Sequence, residues 1–160
     1  MSDMPIYFHF IFAVVATVGF SIFFNSPVKS LVPAGIAGGI AWSVYIYLFR
    51  LTNNSVFSNF IAAVLVSFFS EILARKMKQP AIVFVIPGIL PLVPGLGLYN
   101  TMLHVVQKNF DLALSTGADT ILISGAISLG VLVVTSLSKT LKIVQIRKTS
   151  PNFYNKMPKF

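Results

Sequence analysis

The sequence predicts an all-α membrane protein, a bundle of five membrane-spanning helices in which prolines and glycines break the fourth segment. Hydrophobic residues make up 56% of the 160 residues and charged residues only 10%, which departs in both directions from the average of soluble globular proteins. The hydrophobic residues form long runs separated by short polar stretches. One of these runs carries three prolines and two glycines between positions 87 and 95.

The composition also excludes several classes of function. The chain has no cysteine, which excludes disulfides, thiolate metal sites and cysteine nucleophiles. Its two histidines and four acidic residues show no metal-ligand spacing and no nucleophile paired with a base, so we expect no enzyme, no cofactor and no metal. The net charge of +8 could suggest nucleic acid, but the lysines and arginines lie between apolar runs and in the tail, where they set membrane orientation. No nucleic-acid partner is therefore expected.

Four of the predicted spans are continuous apolar runs. At about 1.5 Å per residue, roughly twenty residues cross the ~30 Å of hydrocarbon in a bilayer. The predicted bounds are 5–24, 31–49, 56–73 and 118–138. We interpret the polar stretch 107–119 as the link before the last span. Residues 1–140 then form the transmembrane domain, and residues 141–160 form a basic cytoplasmic tail.

The fourth segment, 81–106, is predicted to be a broken helix that lines a transport pathway. In a continuous helix its prolines would leave the carbonyls of Val83, Pro87 and Leu90 without partners, because proline has no backbone donor. Irregular backbone at membrane depth is tolerated only where it is buried in protein or faces a water-filled cavity. The predicted pathway or substrate-binding residues are Pro87, Gly88, Pro91, Pro94, Gly95, Tyr99 and Asn100.

Polar residues near this segment have more than one interpretation. Tyr99 and Asn100 could donate hydrogen bonds to a substrate carboxylate, or they could cap the freed carbonyls. Glu71 and Arg75 are four residues apart on one helical face, so they form an interfacial salt bridge, or Glu71 carries a proton. His104 could relay protons near neutral pH, or it could be an interfacial side chain.

Small residues line one face of span two and one face of span five. Gly35 and Gly39 in span two, and Gly130 in span five, would let another span or a subunit approach closely. A bundle this small is not expected to bury both faces internally. We therefore interpret the two faces as surfaces for assembly, and we expect leucine at Gly35 or Gly130 to weaken association.

The loop charges predict the orientation of the chain. With five spans and the N-terminus outside, ten Lys and Arg residues lie inside and two lie outside. This bias agrees with the positive-inside rule, which disfavours a re-entrant fourth segment because that would move the tail to the opposite side.

The run PGxxPLVPGxxLY at residues 87–99 resembles the threonine/serine exporter family. The length and the five-span layout resemble the small subunit of that family's split, two-gene form (YjjB-like), and the resemblance extends to about residue 140. Further residues that carry it are Glu71, Ala74, Arg75, Pro80, Gly125 and Gly130.

The resemblance implies a function and a partner. It implies proton-driven export of small amino acids (threonine or serine), or of dicarboxylates such as succinate, through the lipid bilayer of the bacterial plasma membrane. It also implies a hetero-oligomer with a larger membrane subunit of the same family. The alternative, from a different class, is a non-transporting scaffold that stabilises a separate permease, in which the prolines would serve packing alone.

Overall fold

A computed structural model describes the backbone of residues 5–149 and the side chains of residues 5–140. The helices are α1 (Ile6–Phe23), α2 (Val28–Thr52), α3 (Ser55–Met77), α4 (Ile82–Ile89), α5 (Gly95–Val106) and α6 (Phe110–Thr149), with a 3₁₀ turn at Leu90–Leu92. Over the described residues, four helices are long and apolar enough to cross a bilayer. The bent pair formed by α4 with its 3₁₀ turn and by α5 is the candidate fifth span. The predicted all-α membrane fold with a broken fourth segment is confirmed.

Short turns join consecutive helices. α1, α2, α3 and α5 are each followed by a residue in the left-handed conformation, with φ between 50° and 62°, and these residues are Asn25, Asn53, Lys78 and Lys108. A left-handed residue ends a helix by turning its last carbonyls toward new donors, and asparagine tolerates that conformation well. Each chain reversal therefore needs only a few residues, and neighbouring helices pack side by side.

α4 packs one face against α1, α2 and α3, while Ile82 and Ile86 on its other face are exposed. Phe84 of α4 is fully buried in a cluster with Ala34 of α2 and Ala74 of α3. The other helices pack around this centre, α1 on α2, α2 on α3, and α3 on α6. α5 differs from all of them, because it packs chiefly on α6 and has no buried residue.

α3 and α6 run side by side in the same direction. Gly130 of α6 lies against Ala63 of α3, and about two turns further along both helices Ser138 lies against Glu71. The start of α4 lines the same cleft as Ser138, so α4 begins at this end of the bundle. The broken segment then runs the length of the bundle in the opposite direction, which supports a crossing rather than a re-entrant loop.

α5 and the start of α6 project beyond the rest of the bundle. The two helices are antiparallel, with Gly97 of α5 against Thr120 of α6. The start of α3 is level with Ile121, because Asn54 and Ile121 line one groove. Residues 110–120 of α6 therefore extend about 16 Å past α3, at ~1.5 Å per residue. We call α5 and residues 110–120 the two-helix arm.

The predicted polar link at 107–119 is wrong over most of its length. α6 begins at Phe110, and only residues 107–109 form the turn from α5. The polar side chains after Phe110 do not require a loop, because a helix can carry them on an exposed face. Those that are exposed include Asp111, Ser115 and Asp119.

The helix also passes the predicted boundary between the transmembrane domain and the tail. α6 continues to Thr149, whereas the boundary was placed at residue 140. The remaining part of the predicted cytoplasmic tail, residues 150–160, lies outside the described residues.

The small-residue faces are buried within the chain, so the interpretation of them as assembly surfaces is wrong. A Cβ atom added at Gly35 would lie 2.7 Å from Val18 of α1. One added at Gly130 would lie 2.9 Å from the Cβ of Ala63 and 2.9 Å from the carbonyl of Phe60. The glycines therefore allow α2 to approach α1 and α6 to approach α3, which is the packing of one span against another.

Candidate functional site

The break in the fourth segment lies at Val93 and Pro94. Val93 is extended, with φ −61° and ψ 129°, because a residue that precedes proline avoids the helical region. Pro94 has φ −77° and ψ 63°, the geometry of an inverse γ-turn, and the Gly95 N–H donates to the Val93 carbonyl at 2.8 Å. The proline ring holds φ close to this value. The two halves of the segment are consequently bent by 52°.

The other two prolines do not break the backbone. Pro87 lies within α4, and Pro91 lies within the 3₁₀ turn. That turn corrects the expectation that the Leu90 carbonyl is free, because this carbonyl accepts a hydrogen bond from the Val93 N–H at 3.1 Å. In a 3₁₀ turn a carbonyl accepts from the N–H three residues on. An α-helix would need the N–H four residues on, and here that residue is Pro94, which has none.

Two of the predicted pathway residues lie at the centre of the bundle. Pro87 and Gly88 are buried, and a Cβ atom added at Gly88 would lie 2.9 Å from Val66. Val66 is the middle residue of α3 and is fully buried. Pro87 also borders a cavity of about 230 Å³ that the turn between α1 and α2 closes on the other side. This half of the segment is therefore level with the middle of α3.

The remaining predicted residues are separated from that centre. Pro91 and Pro94 are half-buried in the 3₁₀ turn and at the break, and Gly95, Tyr99 and Asn100 are exposed on the arm. Tyr99 is 63% exposed, and within residues 5–140 neither the Tyr99 nor the Asn100 side chain makes a hydrogen bond. The alternative in which they cap freed carbonyls is therefore not realised. The seven residues do not form one site.

Buried hydroxyl groups face α4, a feature that the sequence analysis did not identify. Ser70 lies one turn from Val66 and one turn from Ala74, two residues that pack on α4. Ser30 lies one turn before Ala34, which packs on the same cluster. Ser30 and Ser70 are fully buried, and neither hydroxyl has a hydrogen-bond partner within the described residues. The sequence shows that these serines lie inside apolar runs, but it does not show that both of them face α4.

Glu71 and Arg75 form the predicted ion pair, and Ser138 of α6 joins them. Arg75 Nε lies 4.0 Å from Glu71 Oε2. Ser138 Oγ donates to that same carboxylate oxygen at 2.6 Å and accepts a hydrogen bond from Arg75 Nη2 at 2.7 Å. Ser138 could not be predicted from the sequence, because 67 positions separate it from Glu71 and no local pattern marks it.

These three side chains form one wall of a cleft with a volume of about 710 Å³, which we call the basic cleft. Lys78 at the end of α3 and Lys139 of α6 also line it, as do Pro80 and Ala81, which immediately precede α4. Three of the charged side chains that line the cleft are cations and one is a carboxylate. The cleft is therefore net positive.

The two proton-coupling candidates lie far apart. Glu71 is level with Ser138, whereas His104 is on the arm, one turn beyond Thr101. Thr101 lies against Gly117, and the stretch of α6 from Gly117 to Ser138 is about 30 Å long at ~1.5 Å per residue. Direct proton transfer between Glu71 and His104 is excluded at this separation.

The fold and this site define a multi-pass helical membrane protein with one bent pair of helices, the first of which packs against three other helices. Residues 9–137 match the family described as "Threonine/Serine exporter, ThrE". Because the match covers most of the chain, the chain belongs to the threonine/serine exporter family. It is thus a member of a transporter family, and the resemblance inferred from residues 87–99 is confirmed.

Two relatives are longer than this chain. An uncharacterised protein of Haemophilus influenzae is 26% identical over 135 residues, which are 79% of this chain and 46% of the relative. A protein of Mycobacterium tuberculosis described as a probable threonine/serine exporter is 29% identical over 90 residues, which are 56% of this chain and 17% of the relative. The chain therefore spans less than half the length of either relative. No solved structure matches the chain.

Proposed function

We propose that this chain is the small subunit of a proton-coupled secondary transporter that exports threonine, serine or related small amino acids, or dicarboxylates such as succinate. The observation that carries the proposal is the buried face of α4, the first half of the broken segment, which packs against α1, α2 and α3 and is faced by buried hydroxyl groups that have no hydrogen-bond partner within the described residues. A buried polar group without a partner costs roughly 1–3 kcal/mol of stability. A permeating polar molecule would supply the missing hydrogen bonds.

The proposed route follows α4. Discontinuous helices near the middle of the bilayer form the binding sites of many secondary transporters. Gly88 is level with the middle of α3, and Ser70 faces α4 one turn closer to the basic cleft. We place the substrate between these residues, with the basic cleft at one end of the route and the break at Pro94 toward the other end. Tyr99 and Asn100 would then contact the substrate only where the arm meets the partner.

A larger membrane subunit of the same family is the proposed partner in a hetero-oligomer. The arm supports it, because Leu96, Met102 and Val106 are at least 66% exposed there, at the end of the bundle where α3 begins. A continuous exposed apolar surface has to be covered by lipid or by protein. The length of the Haemophilus influenzae relative gives further support, because the matched stretch is only 46% of that protein.

The proposed orientation places the N-terminus outside the bacterial plasma membrane and the C-terminus in the cytoplasm. It rests on the ten-to-two distribution of Lys and Arg between the two sides. The basic cleft then opens to the cytoplasm, where an exporter collects its substrate. Glu71 is the residue that we propose for proton coupling, because it lies at the cleft.

An export assay tests this function directly. Cells would express this chain alone, its genomic neighbour alone, or both, and release of amino acids and dicarboxylates would be measured across a panel. We expect release of at least one substrate class when both are present and none with either alone. Equal release from cells with and without this chain would contradict the proposal.

The scaffold alternative is favoured by one observation, the close contact between Gly88 and Val66, which suits a break that serves packing. The two functions differ in what substrate does to the segment. Because the chain contains no cysteine, single cysteines placed between residues 87 and 100 can be labelled selectively. Protection of these cysteines by substrate supports transport through this chain, and identical labelling with and without substrate supports the scaffold.

A further inference from the structure

The basic cleft has an excess of positive charge that the side chains of residues 5–140 do not neutralise. Arg75, Lys78 and Lys139 line it, and Glu71 is the single carboxylate among its lining residues. Within residues 5–140, the other carboxylates are Asp111 and Asp119, near the opposite end of α6. An oxyanion that enters the cleft would therefore meet cations whose charge is only partly compensated.

Arg75 is held in place by Ser138 and keeps unused N–H donors. Its Nη2 donates to Ser138 Oγ at 2.7 Å, and Ser138 is itself fixed by its 2.6 Å hydrogen bond to Glu71. The 4.0 Å between Arg75 Nε and Glu71 Oε2 is too long for a hydrogen bond. A guanidinium has five N–H donors, so those not used by Ser138 remain available, and the side chain, which lines the cleft, is 56% exposed.

We propose that the basic cleft binds one carboxylate group of a small soluble anion, with Arg75 as the bidentate donor. Lys78 and Lys139 would add charge on either side, and Ser138 would act as a positioning residue for Arg75. The volume of about 710 Å³ is in the range of small-molecule sites. The inference rests on the proposed function and deepens it, because it assigns the first contact of the substrate to the carboxylate that amino acids and dicarboxylates share.

Equilibrium binding to the purified full-length chain tests the site. Radiolabelled succinate and L-threonine would be titrated in nanodiscs of phosphatidylcholine, with succinamide and L-threoninol as competitors that lack a carboxylate. We expect Arg75→Gln to weaken binding by at least about tenfold, because it removes a charge-assisted pair of hydrogen bonds. Arg75→Lys, which keeps the charge and loses the planar fork, should weaken binding less than Arg75→Gln but measurably.

Matched variants separate this site from general charge effects. Lys76→Gln removes the same charge from the adjacent residue, which is exposed and does not line the cleft, so binding should be unchanged. Ser138→Ala should lower the affinity, and Ser138→Thr should restore it because the hydroxyl returns. A thermal unfolding midpoint close to that of the unsubstituted chain would show that each variant is folded.

Three results would overturn the inference. These are an affinity that Arg75→Gln leaves unchanged, equal competition by L-threoninol or succinamide, and a complete loss of binding in nanodiscs that contain phosphatidylglycerol. The last result would mean that a lipid phosphate occupies the cleft. If the complete transporter exports substrate and any of these three results is found, only the carboxylate site is contradicted and the proposed function stands. If the chain binds carboxylates but the complete transporter exports nothing under any condition, only the proposed function is contradicted.

Discussion

At Gly130, two helices approach more closely than a side chain would permit. The nearest atoms of α3 include the carbonyl of Phe60 and the N–H of Val64, which are backbone atoms and cannot rotate away. The cost of adding even one methyl group there is set by how far α3 and α6 must separate. Gly125, on the same helix, has nothing within 4 Å of its added Cβ atom.

We predict that Gly130→Ala lowers the free energy of unfolding by about 1–3 kcal/mol, because overpacking forces the two helices apart. Gly125→Ala is the matched control and should be neutral or slightly stabilising, because alanine favours a helix more than glycine does. Unfolding midpoints in mixed micelles would measure both. Equal midpoints for the two variants would show that α3 and α6 are not in close contact in the membrane.

The hydroxyl of Ser70 offers a test that separates packing from transport. Because this buried group has no partner among the described residues, Ser70→Ala should leave stability unchanged or raise it. If the substrate uses the hydroxyl, export should fall about threefold to tenfold, the effect of one lost hydrogen bond. Ser128→Ala, on an exposed face of α6, is the control for both measurements. Undiminished export by the Ser70→Ala protein would remove Ser70 from the proposed route.

A different substitution tests Glu71. Glutamine at this position can still accept the hydrogen bond from Ser138 Oγ, but it cannot release a proton in the accessible pH range. We predict that Glu71→Gln abolishes export driven by a proton gradient while substrate exchange across the membrane continues. Reconstituted vesicles with and without an imposed gradient would measure the two processes. Gradient-driven export that persists in this variant would assign proton coupling to another residue.

Among the helices, the fourth segment has its bend at a single dipeptide, Val93-Pro94. Pro94 disfavours a helical conformation at Val93, which is extended, so Pro94→Ala should permit a continuous helix from α4 into α5. We predict normal abundance in the membrane and an export rate at least about tenfold lower, because straightening the 52° bend moves α5 away from α6. Pro33→Ala, within α2, controls for the general effect of replacing a proline.

Abundance, complex formation and export would be measured in the same cells. Normal export by the Pro94→Ala protein would contradict a role for the break in transport. Loss of the protein from the membrane before any loss of export would favour the scaffold alternative. Replacing Pro91 together with Pro94 removes the second proline of the turn and should give the same order of effects.

The continuous spans could be predicted from the sequence because hydropathy reports directly on the solvent that surrounds a helix. α1 lies within one residue of its predicted bounds at each end. The start of α6 was missed because Asp111 and Asp119 are polar, and hydropathy does not distinguish an exposed helix face from a loop. The presence of a break was predicted correctly. Its position at Pro94 was not, because it depends on backbone hydrogen bonds that three prolines within nine residues do not reveal.

The candidate site was less accessible from the sequence. Glu71 and Arg75 were found because they are four residues apart on one helix, a spacing that fixes their contact. Ser138 depends on the register between α3 and α6, and that register is set by the fit of Gly130 against Ala63. The division of the pathway residues between the centre and the arm depends on which helices surround α4, which is a property of the tertiary fold.

For the whole molecule, the five-span arrangement predicts which turns reach each side of the membrane. Asn53 and Lys108 lie in turns at one end of the bundle, and Asn25 and Lys78 lie in turns at the other end. In the cysteine-free chain, we predict that cysteine at either of the first two positions reacts with an impermeant reagent added outside intact cells. Cysteine at either of the other two should react only after the membrane is opened. Labelling of positions 53 and 108 from opposite sides would show that the fourth segment is re-entrant.

The packing of α4 against α1, α2 and α3 also has a consequence for biosynthesis. α4 has only eight residues and carries a proline, so alone it is too short to insert stably into a bilayer. The three helices that surround it precede it in the chain, and synthesis proceeds from the N-terminus. The ribosome therefore delivers α4 to a membrane in which its binding groove can already be assembled. α5, whose main contact is with α6, must wait for the last helix to be made.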